Sequence, residues 1–106
     1  MPRVRVYRRA DGGAPFVEWF EALRDLRAVS RIEVRVRRAG LGDFGDHRFL
    51  GGGLLELRVD SGPGYRVYVG VGGAGLVLLL CGGDKSTQEM DISRAREFWD
   101  DHRRRQ

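Results

Sequence analysis

Lysine, cysteine, histidine and proline are all scarce in this sequence. A single cysteine, Cys81, among 106 residues rules out an internal disulfide and points to a reducing, cytoplasmic setting. Two histidines, His47 and His102, stand far apart, and with one thiol they offer no metal-ligand cluster. No apolar run approaches the roughly 20 residues needed to span a bilayer; the longest runs from Leu76 to Cys81. The opening MPRVRVYRR is basic with no apolar stretch behind it, so no secretory signal is expected. Internal repeats and low-complexity linkers are missing too, and the length fits one domain over residues 1–106.

What is abundant is arginine. Of 19 basic residues, Lys85 is the one lysine, and the net charge is +4. Residues 1–40 hold ten arginines against five acids; residues 41–106 hold nine basic residues against ten acids. A basic first half suits an anionic partner, either nucleic acid or an acidic protein segment. A lone lysine in an arginine background is suggestive, because the two side chains are not interchangeable at a site.

The patterning predicts an α+β domain. Val4 and Val6 alternate with arginines over Arg3 to Arg8, as in a strand. Pro15 opens a helix carrying Phe16, Trp19, Phe20, Leu23 and Leu26 at helical spacing, from about Ala14 to Leu26. Val29, Ile32, Val36 and Ala39 form a second helical stripe ended by Gly40, although Ile32, Val34 and Val36 also alternate as a strand would. As a helix, it presents Arg31, Arg35 and Arg38 outward. After Gly51-Gly52-Gly53, two alternating runs, Leu55–Val59 and Tyr65–Val71, flank Ser61-Gly62-Pro63-Gly64 as a hairpin. Leu76 to Cys81 is a strand buried on both faces. Ser86 and Glu89 have capping-box spacing at the head of a last helix, about Ser86 to Arg103.

Some motifs do not hold. Gly70-x-Gly72-x-x-Gly75 matches a dinucleotide fingerprint, but a strand follows where a helix N-terminus should receive the pyrophosphate, so a hairpin turn is expected. Gly83-Asp84-Lys85-Ser86 lacks the earlier glycine of a phosphate loop. Cys81, inside a buried strand, reads as a structural thiol.

One constellation survives. Alternation puts Glu56, Arg58 and Asp60 on the hairpin face opposite Leu55, Leu57 and Val59. Arg66 and Tyr68 share that face on the partner strand, and Lys85 follows the next strand. These groups form either a reactive basic surface or a solvated face with cross-strand ion pairs.

Segment by segment, the chain resembles the RelE/ParE superfamily of bacterial toxins, nearest to its HigB-like "addiction module killer protein" branch. The likeness rests on Pro15-Phe16…Glu18-Trp19, on Gly42-Asp43-Phe44-Gly45-Asp46, on Glu56-Leu57-Arg58-Val59-Asp60 with Tyr65-Arg66-Val67-Tyr68, and on Leu78 through Gln88 with Asp91-Ile92. It implies a RelE-like fold: an N-terminal strand, an α-hairpin, a three-stranded antiparallel meander completing a small sheet, and a C-terminal helix. It also makes Ala28 to Gly40 the second helix of that hairpin.

The activity implied is that of a type II toxin, a ribosome-dependent mRNA endoribonuclease that arrests translation and growth. Its chemistry is attack of a 2′-hydroxyl on the adjacent phosphorus, with no metal or other cofactor. At the matching positions Arg66 is the main charge stabiliser, Arg58 supports it, and Lys85 neutralises the phosphate or protonates the leaving oxygen. Glu56 stands where RelE has a lysine; it is either the base or the partner that holds Arg58 or Arg66. The last helix lacks the RelE tyrosine, and Tyr68 offers a stacking or hydrogen-bonding group from the sheet instead. Arg31, Arg35 and Arg38, with Arg48 and His47 from the segment before the hairpin, are the RNA-binding candidates. The partners implied are the ribosome and mRNA, a HigA-like helix-turn-helix antitoxin, and operator DNA through that antitoxin, with no membrane. The alternative reading is a ParE-like protein that inhibits DNA gyrase without catalysis.

Overall fold

A computed structural model describes residues 3–106. In chain order these form β1 (Arg3–Val6), α1 (Pro15–Glu21), α2 (Leu26–Gly40), β2 (His47–Gly51), β3 (Leu54–Val59), β4 (Tyr65–Val71), β5 (Leu76–Gly83) and α3 (Gln88–Arg104). The strands make one five-stranded sheet in the order β1-β5-β4-β3-β2. β1 runs parallel to β5, and the other neighbours are antiparallel. This is the expected α+β architecture, with one more strand than expected.

The extra strand is β2, which the sequence left without an element. Phe49 and Arg48 are exposed on this edge strand, so it carries no clear inside–outside alternation. Its pairing with β3 is set by the glycine triplet: Gly51, Gly52 and Gly53 all have positive φ, a conformation that costs glycine nothing. Of the Gly70–Gly75 stretch, Gly70 and Val71 end β4, and one short 3₁₀ turn, Gly73–Gly75, makes the hairpin connection to β5.

The first helix ends five residues before the expected Leu26. The reason is Asp25, whose carboxylate accepts from the backbone N–H of Arg27 and Ala28 and so starts a new helix at Leu26. The last helix also begins later. Its entry is a 3₁₀ turn, Lys85–Thr87, closed by Asp84 and Thr87 rather than by Ser86 and Glu89.

Both sheet faces are covered. Leu55, Leu57, Val59, Val67, Val69, Val77 and Leu79 pack with Phe16 of α1 and Ile32 and Ala39 of α2. On the opposite face Leu54, Tyr68, Leu78 and Leu80 pack with Ala95 and Trp99 of α3. Each large aliphatic side chain fully withdrawn from water contributes about 1.5–3 kcal/mol, so the central strands anchor the fold. Two indoles lie against glycines on opposite sides of the sheet. A Cβ on Gly82 would sit 2.2 Å from Trp19 Cε3, and one on Gly70 would sit 2.2 Å from Trp99 Cε3. No helix among the described residues is long and apolar enough to cross a membrane.

Candidate functional site

β-Sheet register assembles the site. Arg48, Glu56 and Tyr68 are successive cross-strand partners on β2, β3 and β4, and Arg58 faces Arg66 in the adjacent row. Opposed residues share a face, so all five side chains project toward the α3 side. α3 covers the far end of that face with Trp99 and leaves this end to its first turn, where Gln88 sits.

The centre is Glu56, which is completely buried. Its Oε1 lies 3.5 Å from Arg48 Nε and 3.3 Å from Arg58 Nε. Its Oε2 lies 3.7 Å from Arg66 Nε and accepts hydrogen bonds from Tyr68 Oη at 3.0 Å and Gln88 Nε2 at 2.9 Å. Burial alone would raise the carboxyl pKa. The hydrogen bonds from Gln88 and Tyr68, the charge of Arg48 and the hydrogen bond from Arg58 outweigh it and hold Glu56 below the usual glutamate range. Around this ionised acid the arginines grade from exposed to sheltered: the side chains of Arg48, Arg58 and Arg66 are 45%, 39% and 13% exposed. Arg66 also donates through Nη1 to Gly64 O at 2.8 Å. Lys85 is exposed beside this hairpin, its Cβ next to Gly64.

Three guanidinium groups therefore meet one carboxylate, and the cluster retains two positive charges in excess. Such an arrangement is electrostatically complementary to an anion. Bidentate donation from arginine matches the geometry of a phosphate.

Several expected roles change. Glu56 and Tyr68 were expected on an open surface, but α3 closes over them. Tyr68 is fully buried, and burial together with the Glu56 carboxylate pushes its hydroxyl far above the usual range. Neither base chemistry at Glu56 nor base stacking on Tyr68 fits that burial. His47 does not join the cluster. It lies opposite Leu57 on the α2 side of the sheet, between Phe44 and Phe49. The outward face Arg31, Arg35, Arg38 is also not free. Arg35 is half-buried and donates to the carbonyls of Arg58, Phe44 and Asp46, the last two at 2.6 and 2.8 Å. Arg31 donates to Asp60 O at 2.6 Å. Both tie α2 to the β3 strand end, and Arg38 stays exposed. An apolar cleft of about 480 Å³ between α1 and α2, lined by Phe16, Phe20, Ile32 and Val36, lies across the sheet from the cations.

Gln88 is the site residue that sequence reasoning missed. It belongs to the Lys85–Gln88 stretch that carries the family likeness, which was the available signal. Its partner, 32 positions earlier, has no local signature.

No protein-family model matches the chain, and no solved structure matches it. A Haemophilus influenzae protein described as uncharacterized is 48% identical over 81 residues, spanning 76% of this chain and 82% of that protein. The chain belongs to the family of that protein. This kinship names no chemistry, so the functional argument rests on the side chains around Glu56.

Proposed function

We propose that the chain is the toxin of a type II toxin–antitoxin pair, with a RelE-like fold, and that it cuts mRNA on the ribosome. The observation that carries the reading is the convergence of Arg48, Arg58 and Arg66 on one buried carboxylate, with Lys85 beside them. The element order, a strand, two helices, an antiparallel-rich sheet and a C-terminal helix, is compatible with it.

In this reading the 2′-oxygen of the RNA attacks the adjacent phosphorus while its proton passes to water. The P–O5′ bond breaks, and Lys85 gives a proton to the departing O5′. The products are a 2′,3′-cyclic phosphate and a 5′-hydroxyl end. Arg58 and Arg66 stabilise the charge that builds on the phosphoryl oxygens, a contribution that grows in a site sheltered from water. Glu56 and Tyr68 stay beneath the reacting groups. A helix-turn-helix antitoxin with an acidic segment fits the basic surface as regulator.

Induced expression in a bacterial host tests the reading. The expected result is arrested translation with new 5′-hydroxyl ends inside coding regions. Intact mRNA with blocked gyrase supercoiling would refute it and favour the ParE-like alternative.

A further inference from the structure

All three arginines turn Nε toward Glu56, at 3.5 Å for Arg48, 3.3 Å for Arg58 and 3.7 Å for Arg66, and the buried Arg66 Nε has no hydrogen-bond partner among the described residues. Arg58 hydrogen-bonds to the carboxylate through Nε, and Arg66 commits Nη1 to Gly64 O. Among the described residues this leaves at least one Nη group of each guanidinium without a hydrogen bond. The carboxylate in turn is held by hydrogen bonds from Tyr68 and Gln88, which come from β4 and α3. A negative charge beside an anion site opposes anion binding by Coulomb repulsion. Its presence at zero exposure makes sense where the geometry it imposes outweighs that opposition. Three mobile guanidinium groups would otherwise repel one another and scatter, and ordering each of them costs rotamer entropy.

We infer that Glu56 is a positioning residue, anchoring Arg48, Arg58 and Arg66 by their Nε atoms so that their Nη ends form one cradle for a single phosphodiester group. The inference takes its ligand from the nuclease reading above. It adds Arg48, from the edge strand, as a third phosphate ligand, and it assigns Gln88 and Tyr68 to holding Glu56 in place.

The test uses the full chain and a short single-stranded RNA bearing a 2′-deoxy substitution at every residue that would attack, so that binding is read without cleavage. Glu56→Gln separates position from charge. It adds one net positive charge, so a cluster acting by charge alone binds the oligonucleotide more tightly. The positioning role predicts binding at least tenfold weaker. Because loss of a buried acid can unfold the chain, Arg48→Ala is the second variant, at a half-exposed position. It should weaken binding about tenfold, the size expected for one charge-assisted contact, and lower the salt slope by about one contact. Equal or tighter binding by folded Glu56→Gln, unchanged binding by Arg48→Ala, or no binding by the wild-type chain would each overturn the cradle. Weakened binding in both variants while the wild type leaves mRNA intact would support the cradle and remove the nuclease reading. Cleavage by the wild type with undiminished binding by Glu56→Gln would do the reverse.

Discussion

Replacing Arg66 by alanine separates stability from chemistry, and the structure sets the size of each effect. The sequence alone suggests an exposed residue whose loss leaves the fold untouched. In the structure its side chain is 13% exposed, it donates to Gly64 O at 2.8 Å, and it lies 3.7 Å from Glu56. A hydrogen bond from a charged donor contributes about 1.5–3 kcal/mol. Glu56 keeps Arg48, Arg58, Tyr68 and Gln88, so it is not left as an unpaired buried charge. The expected cost is about 2–3 kcal/mol, against a total of about 5–15 kcal/mol for a domain. That corresponds to a melting temperature lower by roughly 10–15 °C at this chain length. The variant stays folded at room temperature, while loss of a charge-stabilising donor lowers cleavage about 10²–10³-fold. Urea titration followed by tryptophan fluorescence measures the first quantity, and mRNA cleavage measures the second. An unchanged urea midpoint would refute the packing argument, and full cleavage by the folded variant would refute the role in the site.

The other predictions concern the acid, the sheet, the thiol and the α2 anchor. Glu56 is held below its ordinary value of 4.5, so its stabilising contribution is complete above that pH and is lost as pH falls through the lower folded value. Stability should therefore fall more steeply below about pH 4.5 in the wild type than in Glu56→Gln, as read from urea midpoints across pH. Gly70→Ala would drive a Cβ to 2.2 Å from Trp99 Cε3; the expected loss is about 3 kcal/mol or more by chemical denaturation, and an unchanged midpoint would contradict the close approach. Burial pushes the Cys81 thiol up to about 12, so it should resist alkylation in the native chain and react fully in denaturant. Arg35→Ala removes three carbonyl contacts of α2 and should destabilise by about 2–4 kcal/mol; a loss of RNA affinity without a loss of stability would restore it as an RNA ligand.

Regular elements with buried faces were legible because their patterns are local. The alternation of Leu55, Leu57 and Val59 against Tyr65, Val67 and Val69 identifies one core face, and these residues do pack under α1 and α2. β2 was not legible, because an edge strand with exposed Arg48 and Phe49 has no buried face to print an alternation. The Asp25 boundary lay open to reading as an N-cap, but the apolar spacing of Leu23 and Leu26 runs straight through it. In the candidate site, alternation correctly put Glu56, Arg58, Arg66 and Tyr68 on one face. It says nothing about α3 closing over half of that face, because long-range docking leaves no periodic trace. Burial of Glu56 and Tyr68 and entry of Arg48 and Gln88 follow from that docking and from strand register, and diversion of Arg35 to backbone carbonyls follows from the packing of α2 on the other face.

Cut-site mapping on mRNA in a reconstituted translation mixture, with and without ribosomes, tests the central claim most directly. The nuclease reading predicts cuts within the coding sequence when ribosomes are present, with 2′,3′-cyclic phosphate and 5′-hydroxyl ends, and their loss with Arg66→Ala. Uncut mRNA and undiminished translation in the presence of the folded wild-type chain would contradict it.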